Sequence, residues 1–181
     1  MSQFEEKQIE REEIYDGAVL HVVRDKVLLP DGNTSYREFC LHKGAVAVIP
    51  ITDNNEAILV RQFRYAHHRE FLEIPAGKLD YTGEIPLEAA KRELSEETGA
   101  TAERITPLGI LDTTPALIDE RIHLYMAEGL TFGKMHLDED EFLSVVSYPL
   151  TKLVDMVMNG EICDSKTQVA ILKAARLKGI N

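Results

Sequence analysis

PAGKLDYTGEIPLEAAKRELSEETGA, residues 75–100, is the stretch on which the reading of this chain turns. Pro86 stands where a first helical turn tolerates a residue without an N–H. Glu84 and Glu88 lie at the positive end of the helix dipole, and Gly99 falls where left-handed C-caps occur, so the spacing predicts a helix over 86–98. At about 100° per residue Leu87, Ala90 and Leu94 form one apolar stripe. Glu93 and Glu97 stack beside that stripe, with Glu96 on the adjoining flank. Like charges at this spacing cost roughly 0.2–0.5 kcal/mol per pair, so a helix shaped only by stability would carry a lysine or arginine at one of these positions. Arg92 can offset part of the repulsion by pairing with Glu96 or Glu88. An isolated ExxEE is an ordinary solvated acidic face. Carboxylates gathered on a rigid helix beside a glycine-bearing loop, 75–80, instead suit a hard divalent cation such as Mg²⁺, which commonly bridges protein carboxylates to substrate phosphates.

Upstream of this helix, residues 8–42 alternate apolar runs with turn signals, notably PDGN at 30–33, and predict a small antiparallel sheet. GAVAVIP at 44–50 and AILVRQ at 57–62 are β-rich runs separated by DNNE, which predicts a hairpin. Downstream, strands are expected at 105–112, 121–127 and 143–148. Helices are expected at 150–158, ended by Asn159-Gly160, and at 165–177, capped by Asp164 or Ser165.

The bulk numbers narrow the function. The 181 residues suffice for one ordinary domain with a small appendage. Twenty basic against 31 acidic residues give a net charge of −11, which argues against binding nucleic acid through its backbone. An anionic substrate then needs local help from well-placed arginines or bound cations. No apolar run approaches the roughly 18 residues of a membrane span, and the acidic start MSQFEEKQIEREE lacks the grammar of a signal peptide. Cys40 and Cys163 follow no metal-ligand or disulfide spacing, so a reducing cytoplasm is expected.

Gly77, Glu84, seven intervening residues, then Arg92-Glu93-Leu94-Ser95-Glu96-Glu97-Thr98-Gly99-Ala100 resembles the Nudix box. One departure is visible: the family usually has five residues between the glycine and the first glutamate, and KLDYTG supplies six here. A bulge is expected in that loop, with the helical ligands intact. RQFR at 61–64, the pair Arg37-Glu38, Pro115 beyond the box, and GEICDSKT at 160–167 look like the ADP-ribose pyrophosphatase branch.

That resemblance implies an α/β fold: a Nudix α/β/α sandwich with a mixed sheet, residues 43–181, preceded by an N-terminal antiparallel sheet, residues 1–42, that serves a homodimer's substrate pocket. It implies hydrolysis of a diphosphate under Mg²⁺, with Mn²⁺ as a possible substitute and more than one ion. Glu93, Glu97 and Glu96 would be metal ligands, joined by the Ala76 carbonyl, with Arg92 and Glu96 also counted among the catalytic residues. The base is expected in the acidic loop 137–142, where Glu139 and Glu141 are the candidates and Glu141 doubles as a metal-associated carboxylate. Arg37, Glu38, Arg64, Lys78, Thr114 and Pro115 form the expected substrate-binding set. Arg61 and Arg64 cannot both face the site from one extended segment, and Arg64 is preferred. His67 and His68 point apart and are read as structural or surface residues. ADP-ribose, cleaved to AMP and ribose 5-phosphate, is the expected substrate. GDP-mannose or another nucleotide sugar is the alternative, and a non-catalytic nucleotide sensor is disfavoured because the ligand residues are all kept.

Overall fold

Alternating residues in β1 (Lys7–Asp16), β2 (His21–Leu28) and β3 (Thr34–Leu41) build a three-stranded antiparallel sheet in that order. The computed structural model describes residues 2–137 and 141–180. Val23, Asp25 and Val27 turn to the buried face of β2, and Arg11 closes on Asp25 with both oxygens at 2.7 Å. The expected PDGN turn joins β2 to β3, and Gly32 takes φ +88° there. This sheet and the segment Asp112–Arg121 make one of the two compact units into which the chain divides. That segment, distant in sequence, is bridged to the sheet by Cys40 and Ile118.

The second unit, Gly44–Leu111 and Ile122–Asn181, holds the remaining elements. They run β4 (Ala45–Pro50), β5 (Glu56–Arg64), a 3₁₀ turn (Tyr65–His67), β6 (Arg69–Glu73), β7 (Ala76–Lys78), α1 (Pro86–Thr98), β8 (Ala100–Asp112), β9 (Arg121–Phe132), β10 (Leu143–Pro149), α2 (Leu150–Met158) and α3 (Ser165–Leu177). One sheet has the order β7-β4-β9-β8, with β4 and β9 parallel, and another the order β10-β5-β6. β4 is buried at every position, the mark of a strand covered on both faces. Ala45, Ala47 and Ile49 share a core with Leu150, Leu153 and Val157 of α2 and with Ala170, Ile171 and Ala174 of α3. Val46 and Val48 share the opposite core with Ala89, Ala90 and Leu94 of α1. The mixed sheet is therefore the middle of an α/β/α sandwich.

The expected hairpin at 44–62 needs correction. The turn forms, with Asn55 at φ +56° and Thr52 bonded to Glu56, but only Ile51 and Ala57 bridge the two strands. Beyond that neck β4 pairs with β7 and β9 while β5 pairs with β6 and β10. Buried partners far along the chain outcompete the local pairing. β8 also begins at Ala100, directly after the helix cap, rather than at 105.

Candidate active site

Burial of acid is the dominant feature of α1. Ile85 precedes Pro86 at its start, and Gly99, at φ +68°, closes it as anticipated. Glu93 and Glu97 turn inward toward β7 and are only 8% and 4% exposed. Glu97 accepts the backbone N–H of Ala76, while its Oε2 is buried with no hydrogen-bond partner among the described residues. Gly77 runs so close that a Cβ there would overlap the Glu93 carboxylate, which explains glycine at this place in the loop.

Desolvation sets the proton affinities. Burial pushes Glu93 up to about 7 against the opposing pull of Arg92, with Glu96 and Glu141 adding repulsion. Glu97 is pushed up to about 8, again by burial first and then by the charges of Glu141 and Glu93; the Ala76 N–H and Arg64 work the other way. Glu141 thus belongs to the same electrostatic cluster. Glu139 lies outside the described residues.

Arg92 ties helix to loop. Its Nη1 donates to Glu93 at 2.6 Å and to Glu96 at 3.2 Å, and its Nη2 reaches the Lys78 carbonyl at 3.4 Å, with Asp80 at 3.4 Å and Glu84 at 3.6 Å. The expected partner Glu96 is found; Glu88 pairs instead with Lys91 at 2.8 Å. Lys78 contributes its carbonyl here, and its residue is exposed. The extra loop residue is taken up in a turn closed by Glu84 N–H to the Tyr81 carbonyl, with Gly83 at φ +91°. Glu84 also accepts the Asp80 N–H at 2.7 Å, so its carboxylate stays beside Arg92.

At the end of β5, Arg64 donates from Nε and Nη2 to the two oxygens of Glu73, both at 2.7 Å. Glu73 is 2% exposed and also accepts from Lys166 at 2.5 Å. Burial works against its charge, yet Arg64 and Lys166 outweigh that and hold its carboxyl below the ordinary carboxylate range. Arg61 pairs weakly with Glu70 at 3.8 Å. His67 packs against Phe71 and His68 against Tyr65, consistent with structural roles. Reading the sequence missed Glu73 and Lys166. The one local hint was a glutamate inside the apolar run Phe71-Leu72-Glu73-Ile74-Pro75.

Four expected substrate contacts belong to the other unit. Arg37 pairs with Glu6 at 2.5 Å and bonds the Tyr36 carbonyl, and Glu38 lies opposite Arg24 in the β2–β3 register. The Thr114 carbonyl accepts the N–H groups of Leu117 and Ile118, which forms a turn with Pro115 exposed in it.

No three acidic, imidazole or thiol side chains among the described residues already close around a common point as a metal cage. The donor set nonetheless fits a hard cation: an orphaned buried Oε2 on Glu97, a second buried carboxylate held by an arginine, and a glycine that leaves room beside it. A model of the NUDIX domain family matches residues 41–165. The chain belongs to the Nudix family. This Nudix chain is 43% identical over 173 residues to a protein of Bacillus subtilis (strain 168) named ADP-ribose pyrophosphatase, covering 94% of this chain and 93% of that one. It is 44% identical over 170 residues to the methanol dehydrogenase activator of Bacillus methanolicus, covering 93% and 91%. A solved structure of an ADP compounds hydrolase matches with a TM-score of 0.85 at 25% identity, covering 99% of this chain and 97% of the other. The Nudix sandwich and box helix read from the sequence are thereby borne out.

Proposed function

We propose that this Nudix chain hydrolyses the diphosphate of ADP-ribose to AMP and ribose 5-phosphate with Mg²⁺ or Mn²⁺, as a homodimer of the cytoplasm. The observation that carries this reading is the pair Glu93 and Glu97, buried on the box helix without enough positive charge to hold both ionised. Glu93, Glu97 and Glu96, with the Ala76 carbonyl and Glu141, would hold the metal. Bound there, divalent cations would neutralise phosphoryl oxygens and lower the pKa of a water, and more than one ion is in keeping with both tasks.

The chain's own groups do the rest. Glu139 or Glu141 takes the proton of the attacking water, whose oxygen bonds to phosphorus as the bridging P–O bond breaks. Arg92 holds the loop 76–80 against the helix so that ligands and glycine keep their spacing. Arg64 holds a non-bridging phosphate oxygen. Lys78 lines the substrate; Arg37 and Glu38 for its adenosine end, and Thr114 and Pro115 as further contacts, are what the family resemblance implies. Glu139→Gln or Glu141→Gln lowers kcat far more than it weakens substrate binding; if neither does, the base lies elsewhere.

The test is a panel with Mg²⁺ of ADP-ribose, GDP-mannose, UDP-glucose, NADH and diadenosine polyphosphates at equal concentration, with products separated by chromatography. Selective AMP release from ADP-ribose is expected. Turnover of GDP-mannose alone would replace the substrate and keep the mechanism, and no turnover would favour a nucleotide sensor. The 44% identity to a methanol dehydrogenase activator favours a second role, activation of a methanol dehydrogenase, checked by adding the protein to that enzyme's assay.

A further inference from the structure

The motif GEICDSKT, whose resemblance to one branch the mechanism above does not use, contains the start of α3. Asp164 caps that helix: its Oδ2 accepts the Thr167 N–H at 2.9 Å and the Thr167 hydroxyl at 2.5 Å. Its Oδ1 accepts from Lys166 at 3.0 Å. Lys166 then donates to Glu73, and Glu73 grips Arg64 with both oxygens. The Thr167 hydroxyl oxygen also accepts the Ile74 N–H at 2.9 Å, which fastens the helix start to the residue after Glu73.

Exposure changes sharply along this relay. The side chains of Glu73 and Lys166 are 3% and 11% exposed, and that of Arg64 is 43% exposed. The buried groups therefore form a base and the guanidinium its tip, at a pocket also lined by Tyr65, His67 and Phe71. Nε and Nη2 of Arg64 are committed to Glu73, which fixes the guanidinium plane of a residue that itself lines the pocket, with Nη1 outside the bidentate contact. A buried ion network of this kind is a poor device for stability alone, because desolvation consumes most of the Coulombic gain. Its geometric result is one donor held in a set direction. Lys166 has a specific part: it shares the charge of Glu73, so that Glu73 does not cancel the positive field Arg64 turns outward.

We propose that Glu73 and Lys166 are positioning residues that aim Arg64 at the substrate diphosphate, so that the cap of α3 governs phosphate recognition at the end of β5. This rests on the reading of Arg64 as a phosphate-binding residue. The experiment is a double-mutant cycle of Lys166→Met and, separately, Lys166→Gln against Arg64→Ala, with folding checked by circular dichroism. With Arg64 present, each Lys166 variant should lower kcat/KM for ADP-ribose about tenfold or more, chiefly through KM, at an unchanged Mg²⁺ midpoint. In the Arg64→Ala background the same substitutions should change kcat/KM by less than about twofold. Equal losses in both backgrounds, no loss with Arg64 present, or a loss matched by a shifted Mg²⁺ midpoint would overturn the proposal. If the wild type prefers another diphosphate, the function reading fails and the cycle is run on that substrate. If nothing is turned over, the cycle is read as the Kd for ADP-ribose by calorimetry in EDTA, where coupling supports the proposal, and its absence or a lack of binding overturns it.

Discussion

Two sets of buried carboxylates lie in the same unit and have opposite fates. Glu73 has Arg64 on both oxygens and Lys166 on one, and its carboxyl stays below the ordinary range despite burial. Glu93 has Arg92 on one oxygen, Glu97 has the Ala76 N–H and the charge of Arg64, and burial still holds the two at about 7 and about 8. The first set is complete within the protein. The second lacks matching positive charge among the described residues, and this incompleteness separates an acid cluster that fits a cation from an ion network already neutralised.

Substitution should expose that contrast most strongly in activity. Glu97→Gln should lower Mg²⁺-dependent turnover more than a hundredfold and leave the metal-free melting temperature unchanged or raised, because an amide replaces a carboxyl that is costly to ionise. Retention of more than about a tenth of the rate, about 1.4 kcal/mol, would remove Glu97 from the ligands. Glu73→Gln should do the reverse to stability. Leaving Arg64 and Lys166 without their anion should cost about 3 kcal/mol, the low end for a broken buried pair because Arg64 reaches solvent, read by urea denaturation. Equal stability losses in the two variants would erase the distinction.

Gly77→Ala should raise the Mg²⁺ concentration for half-maximal activity about tenfold while α1 stays helical, since the added methyl displaces Glu93. The smallest effect is one of pH. The folded pKa values of Glu93 and Glu97 exceed their ordinary 4.5, so between 4.5 and about 8 the folded chain binds more protons than the unfolded one. Metal-free stability contributed by these groups is therefore lost as pH rises through that window. Glu73, lowered from 4.5, contributes stability present above that value and lost as pH falls through its folded pKa. Calorimetric melting in EDTA from pH 5 to 9 should show a decline of a few degrees that saturating Mg²⁺ reverses; a flat profile would mean the two glutamates are not forced to hold protons.

What could be read in advance follows the range of the forces involved. α1 was legible over 86–98 because its start, its cap and its apolar stripe are all local signals. Likewise Asp164 was a legible cap for α3. The split of β4 from β5 was not, because their shared turn is local while the partners that separate them, β9 and β10, lie far downstream. Glu93 and Glu97 could be found as a stacked pair by spacing, and as expected ligands through the neighbouring glycine loop and the resemblance to the Nudix box. Glu73 could not, since Lys166 is 93 residues away and an ion pair across that distance leaves no periodicity. Facing admitted only one arginine of the RQFR run, with Arg64 preferred, and its bidentate contact to Glu73 fixes its orientation.

The turn between Gly77 and Glu84 has a consequence for how such chains diverge. Its two ends are latched, one by Arg92 on the Lys78 carbonyl and the other by Glu84 on the Asp80 N–H, while a side chain at Gly83 would meet nothing within 4 Å. Lengthening a loop by one residue costs only a small fraction of a kcal/mol in closure entropy, roughly 0.1 by the logarithmic law. An added residue in this span is therefore cheap in chain entropy as long as Arg92 keeps its hold on Lys78, Asp80 and Glu84, so the latches rather than the residue count set the spacing between glycine and acidic helix.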